Sequence, residues 1–80
     1  MESYKTKFHS NQKEGVPWIV KVTDVSENKK TAFVLNIYGS YCSVPLKIIP
    51  GTSYETLINS KNNETFISIN IPLWFYRKIN

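Results

Sequence analysis

Apolar residues recur at every second position in several short segments of this chain. The clearest segment is 31–38, where Phe33, Leu35 and Ile37 would share one face of an extended backbone. Segments 17–24 and 64–71 show the same alternation and are rich in β-branched and aromatic residues. Because successive side chains of a β-strand point to opposite faces, this pattern predicts strands and a mainly β fold.

The connections between these segments indicate how the strands are arranged. Residues 26–30 are all polar and predict a turn that joins the first two strands as a hairpin. Residues 41–49 predict a third strand, which Gly39 and Ser40 separate from the second. Pro45 has no N–H to donate, so this strand is expected at an edge of the sheet or with a bulge.

The segment 52–60 fits either a helix or a strand. Thr52 and Glu55 match a capping box, and a helix would then place Tyr54, Leu57 and Ile58 on one face. A strand would instead place Tyr54, Thr56 and Ile58 on one face. We favour one short helix, followed by a polar loop over 59–63.

These elements predict a small α+β fold that is mainly β. The expected architecture is a curved antiparallel sheet or a small SH3-like or OB-like barrel of four or five strands, with one or two short helices. Eighty residues suffice for one modest core. We assign residues 1–15 to a flexible or loosely docked N-terminal arm, because they are mostly polar, and 16–80 to a single β-rich domain.

Three segments of the sequence resemble a pattern found in small proteins of phages and mobile elements. They are residues 30–35, 43–48 and 69–74. In that pattern an apolar strand precedes an aromatic-Ile-Pro-Lys segment, and a later strand ends in a Pro-x-Trp turn. This chain has Val-Pro-Leu-Lys in the second segment, with Ser43 where the pattern tends to carry an aromatic residue. The resemblance covers residues 30–79 and implies a phage-like origin and a compact β domain, with no catalytic residue.

Residue types that catalyse reactions or bind metals are sparse in this chain. His9 is the only histidine and Cys42 the only cysteine, so neither a zinc site nor a nucleophile with its base is indicated. The six acidic residues are dispersed, and the three glycines are isolated, which excludes a glycine-rich phosphate loop. We therefore predict no enzymatic activity, no metal and no cofactor, with Cys42 as a small core residue.

The sequence predicts a cytoplasmic protein, in the host cell if it is phage-encoded. A single cysteine cannot form an internal disulfide. Residues 1–14 lack the apolar segment of a signal peptide, and no apolar run approaches the ~20 residues of a membrane span. We expect no membrane partner.

Consecutive aromatic residues near the C-terminus predict a protein-binding site. Trp74, Phe75 and Tyr76 cannot all face inward from one helical turn, and Arg77 and Lys78 follow them. Tryptophan, tyrosine and arginine are frequent interface anchors. In the alternative reading, Trp74 fills one end of the core and Tyr76 lies on the surface. Pro72 suits the first position of this terminal helix.

The charge balance supports a second hypothesis, a direct nucleic-acid-binding module. Ten Lys plus Arg against six Asp plus Glu give a formal net charge of +4. Tyr38 and Tyr41 flank the turn at Gly39 and could stack on bases. The candidate nucleic-acid-binding residues are Lys21, Lys29, Lys30, Tyr38, Tyr41 and Lys47.

Between these two hypotheses the sequence favours a protein partner, because the positive charge is dispersed along the chain whereas the aromatic cluster is concentrated. The leading prediction is a phage or mobile-element accessory protein that binds a host defence or nucleic-acid-handling protein as a non-catalytic inhibitor or modulator. The alternative is a single-stranded nucleic-acid-binding module that uses tyrosine and lysine side chains. A homodimer formed through the aromatic surface is a third, structural role.

Overall fold

The computed structural model describes residues 15–79. It contains four strands and two helices: β1 (Val16–Val25), β2 (Thr31–Asn36), β3 (Tyr41–Pro45), α1 (Tyr54–Asn63), β4 (Phe66–Ile71) and α2 (Leu73–Ile79). The strands form one antiparallel sheet in the order β3-β2-β1-β4. β3 and β4 are therefore opposite edges, so the sheet is open and the barrel alternative is not formed. Apart from Gly15, the predicted arm lies outside the described residues.

The first two strands form the predicted hairpin, closed by an ordered turn. The hydroxyl of Ser26 accepts the backbone N–H groups of Lys30 at 3.2 Å and Thr31 at 3.0 Å. It also donates to the Asn28 side chain at 2.7 Å. Lys29 adopts a left-handed backbone conformation, with φ of 60°. These contacts satisfy the turn's polar groups locally and set its shape.

The second and third strands are shorter than the sequence predicted. β2 ends at Asn36 because the Asn36 side chain accepts the N–H groups of Tyr38 at 2.9 Å and Ser40 at 3.0 Å, which starts a turn. β3 ends at Pro45, where the missing N–H stops the ladder, and a 3₁₀ turn (Leu46–Ile48) follows. Of the two predicted alternatives for this strand, an edge position or a bulge, the structure shows the edge position.

One face of the sheet packs against both helices to form the core. Its buried residues are Val20, Val22, Ala32, Val34, Val44, Ile69 and Ile71. Leu57 of α1 and Phe75 of α2 join them, as does Ile49 from the segment after the 3₁₀ turn. The predicted helical interpretation of 52–60 is confirmed, because Leu57 packs into this core as part of a helix.

Helix α1 begins and ends later than the sequence predicted. Its N-cap is Ser53, not Thr52, since the Ser53 hydroxyl accepts the Thr56 N–H at 3.1 Å. The helix then continues through the polar segment that was predicted to be a loop and ends at Asn63. The chain leaves it through Glu64, a left-handed residue with φ of 53°.

Helix α2 follows directly on β4, at Pro72. The Pro72 carbonyl accepts the N–H groups of Phe75 and Tyr76, each at 3.0 Å. Phe75 is buried in the core and Trp74 is 58% exposed, so Phe75 occupies the position that the alternative reading gave to Trp74. None of the helices in the described part of the chain is long and apolar enough to cross a membrane.

Candidate binding surface on the open face of the sheet

The face of the sheet opposite the helices is open and carries large apolar side chains. The pairing register aligns Phe66, Lys21, Leu35 and Tyr41 in one row across all four strands. Phe66 is 48% exposed and Tyr41 is 75% exposed. This row is an aromatic and apolar strip with one ammonium group near its middle.

Neighbouring positions extend this strip along the strands. Phe33 lies opposite Ser43 on β3, and Ile19 lies opposite Ser68 on β4. Phe33 and Tyr41 are diagonal neighbours, which places their Cα atoms roughly 7–8 Å apart in an antiparallel pair. We call this surface the open face: Ile19, Lys21, Asp24, Phe33, Leu35, Tyr41, Ser43, Phe66 and Ser68. Asp24 belongs to it because a register shift in β1 pairs it with Phe33.

Lys21 is held in place at the centre of the open face. Its ammonium nitrogen lies 5.5 Å from the centroid of the Phe66 ring, a cation–π contact. Across residues 15–79, the one ion pair joins Lys61 to Asp24, with the nitrogen 3.6 Å from a carboxylate oxygen. The Lys21 charge is thus without a carboxylate partner among the described residues and is open to an anion.

A groove lies at one end of the open face and gathers three lysines. Thr31 and Pro45 form the next pair beyond Phe33 and Ser43, so the groove continues the same side of the sheet. It has a volume of about 570 Å³. Its lining residues are Lys29, Lys30, Thr31, Pro45, Leu46 and Lys47. We call it the lysine groove.

Backbone contacts bring these lysines together from two separate parts of the sequence. The Leu46 N–H donates to the Lys30 carbonyl at 2.8 Å, so the 3₁₀ turn that carries Lys47 is fastened beside Lys30. The Lys29 ammonium lies 4.9 Å from the centroid of the Tyr54 ring. The backbone of the groove is therefore held by contacts within the chain, whereas the Lys29 ammonium rests on the ring of an α1 residue that does not line the groove.

The predicted nucleic-acid-binding residues separate into three places. Lys21 and Tyr41 lie on the open face, and Lys29, Lys30 and Lys47 line the lysine groove. Tyr38, at the β2–β3 turn, is 86% exposed. The structure thus brings five of the six to the open face or to the groove at its end, with the Lys29 ammonium turned toward Tyr54 of α1.

Sequence reasoning missed Phe33 and Phe66 as surface residues. Phe33 lies in a strand whose two faces both carry large apolar side chains, so alternation in β2 does not say which face the helices cover. In β4 alternation does separate the faces, because Phe66 shares its face with Ser68 and Asn70. The available signal was the number of large apolar side chains on both faces of β2, because a domain of this size has no second layer to cover both faces of its sheet.

The predicted protein-binding residues lie on α2. Trp74, Tyr76, Arg77 and Lys78 are on the surface, whereas Phe75 is buried. The Trp74 and Phe75 rings meet edge to face with centroids 5.7 Å apart, which fixes the indole against the core. The exposed part of the predicted cluster is therefore one indole, one partly exposed phenol and two cations.

The structure gathers little that could perform catalysis. His9 lies outside the described residues, and within residues 15–79 no three histidine, cysteine or acidic side chains cluster as metal ligands would. Cys42 was predicted to be a core residue; it is half-buried and packs against the core from outside it. Burial raises the pKa of its thiol, while the Ser43 backbone and the Lys78 charge act weakly in the opposite direction. The absence of enzymatic activity stays a prediction.

No family model, curated protein or solved structure matches this chain. The resemblance to proteins of phages and mobile elements therefore also stays a prediction. The candidate binding surfaces are the open face, the lysine groove and the surface of α2.

Proposed function

We propose that this chain is a non-catalytic domain that binds single-stranded nucleic acid on the open face of its sheet. The observation that carries the proposal is the row of Phe66, Lys21, Leu35 and Tyr41, extended by Phe33. It combines exposed rings with a central cation on a surface that no described helix covers.

Exposed aromatic rings supply the binding energy in this proposal. Each base that stacks on an aromatic side chain contributes roughly 1–3 kcal/mol, with little dependence on sequence. Phe33, Tyr41 and Phe66 are all at least 40% exposed. Only unpaired bases can reach such rings, because the bases of a duplex are stacked on one another.

Positive charge on the same side supplies the contacts to the backbone. Lys21 lies between the rings, and the lysine groove continues the surface beyond Phe33. Single-strand-binding proteins combine such cations with stacking rings. This arrangement reverses the preference drawn from the sequence, because the lysines are close together in space and the aromatic cluster of α2 is partly buried.

Anisotropy of a labelled oligonucleotide tests the proposal with a matched pair of variants. Tyr41→Ala removes a ring from the open face. The control, Tyr38→Ala, removes an exposed ring of the same type from the β2–β3 turn. We expect Tyr41→Ala to weaken binding about 5- to 150-fold, the loss of one stacked base. We expect Tyr38→Ala to change it much less.

The comparison with duplex DNA completes this test. The native chain should bind single strands more tightly than a duplex of the same sequence. No anisotropy change at low salt, or equal losses in the two tyrosine variants, would contradict the proposal.

The surface of α2 supports a second candidate, a protein partner. Trp74 is 58% exposed yet fixed against Phe75, and Arg77 and Lys78 follow in the last turn. A rigid, exposed indole beside two cations is typical of an interface anchor. The partner would be a host defence or nucleic-acid-handling protein, inhibited or modulated in the cytoplasm by an accessory protein of a phage or mobile element.

Affinity capture distinguishes this second role. Trp74→Ala should lose a partner that the native chain and Tyr38→Ala both retain, since only the first change removes the indole. Retention of the partner by Trp74→Ala would exclude an anchor at α2. Concentration-dependent sedimentation of the same variants tests the homodimer prediction.

A further inference from the structure

The lysine groove has a charge density that one backbone phosphate does not require. Lys29, Lys30 and Lys47 line it together, and no carboxylate is among its lining residues in the described part of the chain. A phosphodiester carries a single negative charge, which Lys21 alone matches on the open face. Three lysines in one concave site match a more highly charged anion.

A phosphomonoester has the required charge. A terminal phosphate carries about −1.5 to −2 at pH 7 and presents three strong acceptor oxygens. Each lysine offers three donors on a flexible stem, so Lys30 and Lys47 can reach one such phosphate from the two segments that line the groove. Lys29 can join them when its ammonium leaves the Tyr54 ring. The hydroxyl of Thr31, which also lines the groove, adds a neutral donor.

The backbone segments that carry these lysines are held side by side without a ligand. The Leu46 N–H bond to the Lys30 carbonyl holds two of the lysine-bearing segments side by side. The Ser26 hydroxyl fixes the turn that carries Lys29 and Lys30. Pre-organised donors avoid part of the ordering cost of binding.

We infer that the lysine groove is a binding site for a phosphomonoester, carried either by the end of a nucleic-acid strand or by a free nucleotide. Its position supports the strand end, since the groove closes one end of the row of Phe33 and Tyr41. A strand stacked on the open face would bring its terminal phosphate to the lysines. The assignment to a strand end rests on the proposed function, whereas the phosphate site itself does not.

Oligonucleotides of one sequence with a 5′-phosphate, a 3′-phosphate or hydroxyl ends test the strand-end source. We expect one of the phosphorylated forms to bind about tenfold more tightly than the hydroxyl form, which corresponds to about 1.4 kcal/mol. The double variant Lys30→Gln/Lys47→Gln should lose this advantage. Lys61→Gln/Lys78→Gln removes the same amount of charge from the two helices and should retain it.

Titration of the ¹⁵N-labelled native chain with adenosine monophosphate and with inorganic phosphate tests the free source. Shifts of the amide signals of Lys30, Thr31 and Lys47, absent in Lys30→Gln/Lys47→Gln, support the site. If these shifts occur and no oligonucleotide binds, the proposed function fails and the phosphate site stands.

Two results would overturn the inference. One is equal affinity for the three oligonucleotides together with no shift at these amides. The other is an advantage for a terminal phosphate that Lys30→Gln/Lys47→Gln retains in full, because the phosphate would then lie elsewhere. In both cases binding of single strands to the open face could still be measured with the tyrosine variants.

Discussion

Ser60 shows how much of this fold depends on one small side chain. It is buried, with 1% of its surface exposed. Its hydroxyl accepts the Val22 N–H at 3.0 Å and donates to the Thr65 carbonyl at 2.7 Å. β4 begins at Phe66, opposite Lys21, so Val22 has no ladder partner on that side and Ser60 takes its place.

Replacing Ser60 by alanine should lower the free energy of unfolding by about 1–3 kcal/mol. The change leaves a buried N–H and a carbonyl without this partner, and unsatisfied buried groups cost that amount. Urea denaturation measures the loss. Ser68→Ala, on the open face, is the matched control and should have little effect; equal losses in the two variants would argue against this role of Ser60.

Cys42 gives the stability a dependence on alkaline pH. Burial raises the pKa of its thiol above the ordinary value of 9.0. The folded state therefore holds the proton more tightly than the unfolded chain, and stability is lost as the pH rises above that value. The unfolding free energy of the native chain should fall more steeply there than that of Cys42→Ala, and parallel profiles would contradict the assignment.

At the scale of elements, strand and helix types were predictable and several boundaries were not. Strand alternation is a local property, so β1, β2 and β4 and the hairpin follow from residue order. The end of β2 depends on where the Asn36 side chain finds its donors. The extension of α1 to Asn63 depends on the packing of Leu57 and Ser60, which holds the helix although its last turn is polar.

The start of α1 provides a test at this scale. Ser53→Ala should destabilise the protein by about 0.5–2 kcal/mol, the usual cost of losing an N-cap. Thr52→Ala should cost much less, because Thr52 bonds to the Ile49 carbonyl through its backbone N–H, which alanine retains. Thermal unfolding compares the two, and a larger loss for Thr52→Ala would restore the capping box predicted from the sequence.

At the scale of the whole molecule, the sheet has a helical side and an open side with different chemistry. The helical side buries the core, and the open side combines exposed rings with the lysines of the sheet and the groove. Lys21 lies on the open side, and Lys29, Lys30 and Lys47, which come from separate parts of the sequence, line the groove at its end. Net charge alone would not reveal that concentration.

The salt dependence of oligonucleotide binding measures how many of these lysines contact phosphates. For a strand with hydroxyl ends, on which each of the four lysines would meet a separate backbone phosphate, the logarithm of the affinity should fall against the logarithm of the salt concentration with a slope of about −3. Lys30→Gln/Lys47→Gln should roughly halve the slope. Lys61→Gln/Lys78→Gln should leave it unchanged, and a slope near zero for the native chain would exclude a binding site built on these cations.

The sequence by itself determined the strands, the hairpin, the edge position of β3 and the helix after Pro72. Each of these follows from neighbouring residues: side-chain alternation, a polar turn and the missing N–H of proline. Only the tertiary structure decided which face of the sheet is covered and which lysines lie together. Both faces carry large apolar residues, and the choice depends on where Leu57 and Phe75 pack, far along the chain from the first strands. That packing buries one set of alternate residues and leaves Phe33, Tyr41 and Phe66 exposed.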